Sequence, residues 1–207
     1  MTMELNDFLN DLNTADDEVE IIDLCRRTVL HGTPVVFHGK EDDFYSFRKR
    51  TAERFGVSFY EVYIVGSAKL GFSPYKRKPF DLDSDIDVAI VSNNLFEEIL
   101  DEIYKYQMEL RASRKAVTRE EMKMYHEFLE YVAIGWMRPD KLPLSFRVGE
   151  LKSDWFRFFL SISNGKSEVG NYKVTAGVFK SYRHLELYTL SCLRTLKKSL
   201  SLELRHG

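Results

Sequence analysis

A chain of 207 residues is the length of one domain and can bury a continuous core, which excludes a disulfide-stapled miniprotein. Hydrophobic residues make up 44% and charged residues 30%, the composition of an ordinary soluble globular protein and not of a disordered or membrane one. Thirty Lys plus Arg against 32 Asp plus Glu leave a net charge of −2, so charge alone does not make this a duplex-coating protein, and any nucleic-acid contact is local.

In chain order, residues 1–24 carry acids and no Lys or Arg, which is not the start of a signal peptide. Residues 3–30 read as helix in two pieces broken near Asn13 and Thr14, with Thr14 as an N-cap and Asp16 and Asp17 in the first turn. Residues 34–39 read as an extended stretch. Glu41 to Phe55 has Phe44, Phe47, Ala52 and Phe55 on one side and predicts a helix ended by Gly56. Val62 to Val65 and Ile86 to Val91 are apolar runs and predict two buried strands, separated by a loop rich in Gly, Pro and basic residues.

Asn94 to Leu110 predicts a helix capped by Asn93 or Asn94, and a further helical stretch runs from Arg119 to Trp136. Pro139 and Pro143 bracket a turn, Trp155 to Ile162 is apolar without a clear period, and Asn164-Gly165 marks a break. Val174 to Phe179 predicts a strand. Tyr182 to Leu202, with Leu185, Tyr188, Cys192, Leu196 and Leu200 on one face, predicts a helix. The acidic start contrasts with a basic stretch from Gly165 onward, so the two ends either pack together or face different partners. No apolar run approaches the roughly 20 residues of a membrane span. Cys25 and Cys192 are the only cysteines, which excludes a disulfide framework or a Cys-rich zinc site. The expectation is a reduced, soluble, cytoplasmic protein.

The residues that carry chemistry lie in Tyr63-Ile64-Val65-Gly66-Ser67 and in Asp85-Ile86-Asp87-Val88-Ala89-Ile90-Val91. Side chains alternate along a strand, so Asp85 and Asp87 share one face, their Cα atoms about 7 Å apart, while Ile86, Val88 and Ile90 point to the core. Two adjacent carboxylates repel unless a cation sits between them, and hard oxygen ligands suit Mg²⁺ carrying a nucleotide's phosphates. Glycine at position 66 lets a triphosphate approach the backbone, and Ser67 offers a hydroxyl and the N–H groups of a helix start. Asp81, Asp83, Asp85 and Asp87 alternate, but a calcium loop would need Gly at Ile86 and Glu at Ser92. The five histidines show no ligand spacing.

This combination resembles the nucleotidyltransferase superfamily, the group with a DNA polymerase β-like palm: an apolar strand, Gly-Ser, a short helix and loop, then an Asp-x-Asp strand. The resemblance covers about residues 61–92, with Gly66, Ser67, Asp85 and Asp87 matching position by position and Ser84 also in keeping. It implies that Asp85 and Asp87 are catalytic and ligate Mg²⁺ or Mn²⁺, and that Gly66 and Ser67 hold the triphosphate. Lys69, three residues past Gly66, is placed for the phosphates too. The family usually adds a third carboxylate from a later strand. The strand at Val174 has none, and the nearby acids are Glu150, Asp154 and Glu168. The loop between Ser67 and Asp85 is longer than in minimal members and carries Lys76, Arg77 and Lys78, which reach outward toward an acceptor. Lys180 and Ser181 offer a second phosphate contact, and Tyr75 or Phe72 a stacking surface for the base.

The fold expected is α+β: a small mixed sheet with the Gly-Ser and Asp-x-Asp strands adjacent, flanked by N-terminal and C-terminal helices, the N-terminal region packed on one side and the C-terminal region forming the other wall of a cleft. The chain reads as a single nucleotidyltransferase-like domain, 1–207, with an N-terminal helical region (1–60), the motif strands (61–92) and a mostly helical remainder with one further strand (93–207). The resemblance implies metal-dependent transfer of a nucleoside monophosphate from a nucleoside triphosphate to a protein or tRNA acceptor. Small members of the superfamily act in bacterial toxin–antitoxin or phage-defence systems. The alternative is a catalytically inactive module of the same fold that binds nucleotide, RNA or a partner protein.

Overall fold

A computed structural model describes residues 3–114, 116–139, 142 and 149–206. The elements are α1 (Leu5–Thr14), α2 (Glu18–Leu24), α3 (Glu41–Phe55), β1 (Val62–Val65), α4 (Gly66–Leu70), β2 (Phe72–Ser73), β3 (Lys78–Pro79), β4 (Asp85–Val91), α5 (Asn93–Arg111), α6 (Arg119–Ala133), β5 (Trp136–Met137), α7 (Gly149–Ser161), β6 (Lys173–Phe179) and α8 (Tyr182–His206). A π-helical turn, Cys25–Leu30, extends α2, and a 3₁₀ turn at Val35–Phe37 takes the place of the extended stretch expected there. The fold is mixed α+β, with a small mixed sheet flanked by helices.

The sheet runs β1-β4-β6-β5. β1 is antiparallel to β4, with Val65 opposite Asp87, and β4 is parallel to β6, with Asp85 opposite Lys173 and Asp87 opposite Thr175. β5 closes the far edge antiparallel to β6. Residues 93–207 thus contribute two strands where one was expected. The long basic loop carries a two-stranded hairpin of its own, β2 with β3.

The alternation along β4 sorts the core into two layers. Ile86, Val88 and Ile90 join Val62, Ile64, Val174 and Val178 in one cluster, covered by α3, α5, α6 and α7 through residues such as Phe47, Ile99, Phe128 and Trp155. Ala89, Val91 and Phe179 face the other way, under Phe8 and Leu12 of α1, Ile21 and Leu24 of α2, and Leu185, Leu190, Leu193 and Leu196 of α8. The terminal helices therefore share one face of the sheet instead of standing on opposite sides of a cleft. Apolar burial in this shared cluster brings them together, and polar contacts line the seam: Arg26 pairs with Glu186 at 2.6 Å, Arg194 pairs with Glu18, and Lys197 Nζ donates to the carbonyls of Leu12 (3.0 Å) and Asn13 (2.6 Å) at the open end of α1.

Local boundaries differ in four places. Asp17, not Thr14, caps α2, accepting from Glu20 N–H at 2.9 Å, while the Thr14 hydroxyl donates back to the Asn10 carbonyl at 2.9 Å within α1. Ser92, not Asn93 or Asn94, stands at the start of α5. α6 stops at Ala133 because Gly135, at φ +75°, turns the chain so that Trp136 enters β5. The apolar run from Trp155 belongs to α7, where Trp155 and Phe159 lie one helical turn apart and meet Phe55 of α3 at 4.8 and 5.6 Å between rings. Pro143 lies outside the described residues.

Candidate functional site

β1 ends at Val65, and Gly66 follows at φ +66°, where a side chain is strained, turning the chain directly into the short helix α4. A Cβ on Gly66 would lie 2.8 Å from Asp87 Oδ2. The Gly-Ser turn is thus pressed against the second aspartate, and only a residue without a side chain allows that approach. Residues 21 positions apart form one site because Val65 pairs with Asp87 in the ladder. The Ser67 hydroxyl makes no hydrogen bond with the described residues and remains available at this edge.

Asp85 and Asp87 lie on the sheet face opposite Ile86 and Val88, beyond the cover of the terminal helices. Asp87 Oδ1 accepts from Thr175 Oγ1 at 3.0 Å, and Asp85 Oδ2 lies 3.5 Å from Lys173 Nζ. Asp87 is solvent-accessible, yet the protein mass around it desolvates its carboxylate and raises its pKa above the ordinary value. The charge of Asp85 adds to that rise, while the Thr175 bond and the charges of Arg138 and Lys173 oppose it. Arg138 directly follows β5, whose Trp136 and Met137 pair with Phe179 and Val178.

Three residues framing this pair escaped the sequence: Lys173, Thr175 and Arg138. Lys173 and Thr175 alternate on β6 as Asp85 and Asp87 do on β4, which shows that they share a face. Nothing local tells which residues of β4 they meet. Arg138 gives no local signal at all.

Lys69 stands differently from the expectation. It is only 6% exposed, and its Nζ donates to the carbonyls of His31, Gly32 (3.0 Å) and Thr33 (3.4 Å). Burial pushes its pKa down to about 8, while three carbonyl oxygens favour the ammonium. The residue ties α4, and with it the Gly66-Ser67 turn, to the chain leaving the π-helical turn, so its charge is already committed.

The other candidates are dispersed. Asp154 is bound by Arg54 (2.9 Å) and Arg157 (3.2 Å), and Glu168 by Arg50 (2.5 Å). Arg50 and Arg54 belong to α3, which covers the layer opposite the aspartate face, so neither acid converges on the pair. The Glu150 side chain lies outside the described residues. Lys180 pairs with Glu97 at 2.8 Å, and Ser181 bonds His184 Nδ1 at 2.8 Å. Lys180 is also five residues beyond Thr175, about 16 Å along the strand and away from the Gly66 turn. Phe72 is core, packed on Phe8 at 5.6 Å, and the Tyr75 hydroxyl donates to the Cys192 carbonyl on α8. In the basic loop Arg77 pairs with Glu203 and Lys78 with Asp81, leaving Lys76 exposed. Asp81 also accepts from Ser84 Oγ at 2.9 Å and Asp83 N–H at 3.2 Å, so it shapes the turn that feeds β4.

Among the described residues no third His, Cys, Asp or Glu joins Asp85 and Asp87. The donor set is two carboxylates on adjacent same-face positions. It fits one hard divalent cation with positions left for other oxygen ligands. No described helix is long and apolar enough to cross a membrane. Comparisons of the chain with protein families, with curated proteins and with solved structures find no match.

Proposed function

We propose that this protein is a metal-dependent nucleotidyltransferase that moves a nucleoside monophosphate from a nucleoside triphosphate to a protein or tRNA acceptor. The observation that carries the reading is the 2.8 Å approach between the Gly66 Cβ position and Asp87 Oδ2, which joins a phosphate-binding turn to a carboxylate pair. Asp85 and Asp87 are the ligands for Mg²⁺ or Mn²⁺, and such an ion, when bound, polarises the α-phosphate and offsets charge on the leaving pyrophosphate. Gly66 leaves the backbone bare for the triphosphate, Ser67 supplies a donor, and Lys69 fixes the helix that presents them. Arg138 and Lys173 lower the electrostatic cost of bringing a polyanion to two aspartates. A part in a toxin–antitoxin or phage-defence pair rests on the resemblance of residues 61–92.

One observation favours a second reading. The strand neighbours of the two aspartates are Lys173 and Thr175 rather than an acid. A site with two acids can bind a metal–triphosphate complex without transferring it, as a nucleotide-binding module. Incubation with each of the four triphosphates labelled at the α-phosphate, Mg²⁺, and either a tRNA pool or a protein extract separates the two. Transfer of label that is lost in both Asp85→Asn and Asp87→Asn is the expected result. Equal transfer by both variants overturns the catalytic assignment, and metal-dependent binding without any transfer leaves the module.

A further inference from the structure

The one ammonium at the aspartate pair that is open to solvent belongs, among the described residues, to Lys173. Lys69 is buried under three carbonyls, Lys78 is held by Asp81, and Lys180 is held by Glu97 at the far end of β6. Lys173 stands directly opposite Asp85 in the parallel ladder, as Thr175 does opposite Asp87, so all four side chains emerge on one face. Its Nζ lies 3.5 Å from Asp85 Oδ2, with the lysine side chain 65% and the aspartate 43% exposed.

We propose that Lys173 is a cation built into the site: it neutralises Asp85 while no substrate is bound and serves a phosphate of the triphosphate once Asp85 ligates a metal ion, so that the site takes a single divalent cation. The proposal deepens the nucleotide reading above and rests on it. An exposed ion pair of this kind contributes little to stability, so exchanging Asp85 for a phosphate oxygen costs little. Two-metal sites place their ions about 3.5–4 Å apart between shared carboxylates. A lysine beside Asp85 puts positive charge where a second ion would sit and repels it, and Thr175 offers a neutral hydroxyl already spent on Asp87.

The test uses the full chain and two titrations. Without nucleotide, Mn²⁺ binding followed by electron paramagnetic resonance is expected to tighten about fivefold in Lys173→Met, because the competing ammonium is gone. At saturating Mg²⁺, calorimetry with a non-hydrolysable triphosphate is expected to show about tenfold weaker binding in the same variant, and near wild-type binding in Lys173→Arg. Lys173→Glu is expected to take up a second Mn²⁺. A merely structural lysine would not shift metal and triphosphate affinity in opposite directions. Unchanged affinities, or shifts of both in one direction, overturn the proposal. Opposite shifts in a protein that transfers no label support the role of Lys173 and remove only the transferase reading. A wild-type chain that binds no triphosphate overturns both.

Discussion

Two halves of one sheet face have opposite fates. Along β4 the residues facing the terminal helices are Asp85, Asp87, Ala89 and Val91, and along β6 they are Lys173, Thr175, Gly177 and Phe179. The last two of each set are buried under α1, α2 and α8, with Trp136 stacked on Phe179 at 5.6 Å. The first two of each set stay open and carry two acids, a lysine and a hydroxyl. The strand geometry is the same throughout, so the backbone does not make the site. The helices cover the far half of the face and stop, and the polar residues occupy what is left. Each half also has a glycine at a close approach, Gly66 against Asp87 and Gly177 against Trp136, and these serve different ends.

The sharpest way to break the comparison is to remove the acids. Asp85→Asn and Asp87→Asn are each expected to lower nucleotidyl transfer about a thousandfold or more while the fold survives, measured by label transfer and circular dichroism. Asp87→Asn carries a second signature. Because the folded pKa of Asp87 is raised, ionisation is harder in the folded protein than in the unfolded chain, and its contribution to stability falls as pH rises through the folded value. At pH 7 without metal the Asn variant should therefore melt slightly higher than wild type, by about 1–2 °C. Calorimetric scans showing a lower melting temperature would contradict that desolvation.

Next in size are the two glycines. Gly66→Ala meets both a positive φ and the Asp87 carboxylate, so transfer and triphosphate affinity should fall about a hundredfold, with a stability loss of about 1–2 kcal/mol. Gly177→Ala would set a Cβ 2.4 Å from Trp136 Nε1 and 3.0 Å from the Met137 carbonyl. Its cost should be stability alone, about 1–3 kcal/mol, with Mn²⁺ affinity unchanged. Equal effects of the two on metal binding would erase the distinction between the halves.

Lys69→Met probes the tether behind the Gly66 turn. It strands three carbonyls and should cost about 1–3 kcal/mol in urea unfolding. The folded pKa of Lys69, about 8, lies below the ordinary 10.5. Across that window the folded protein holds fewer protons than the unfolded chain, so the lysine's contribution to stability rises with pH. Wild type should gain on the Met variant between pH 8 and pH 10.5, and a gap that stays constant or shrinks would refute the desolvation of Lys69. The smallest effect is expected from replacing Lys76, Arg77 and Lys78 with Ala. Their ion pairs are exposed and contribute about 0–1 kcal/mol each. With an RNA acceptor the salt dependence of binding should flatten by about 0.7–0.9 in slope per lost phosphate contact, with triphosphate affinity unchanged.

What could be read from the chain alone is what depends on near neighbours. α3 at Glu41–Phe55 with its Gly56 stop and the shared face of Asp85 and Asp87 follow from periods of 3.6 and 2, which the backbone imposes whatever lies around it, and β1 at Val62–Val65 from an unbroken apolar run that stops at Gly66. The adjacency of the Gly66 and Asp87 strands was implied by the resemblance of residues 61–92 and not by any local pattern. Tertiary structure decided the rest. Lys173 and Thr175 meet the aspartates across 88 positions through a register that no local pattern encodes. Lys69 turned to the carbonyls of residues 31–33 because burial leaves an ammonium in need of acceptors, and those carbonyls were the ones at hand. The acidic and basic ends came together on one face, since α1, α2 and α8 bury their apolar sides against the same half of the sheet. Local sequence determines which way a side chain points along its own strand or helix; which partner it finds there is set by contacts between distant segments, paid for only once the whole chain has closed.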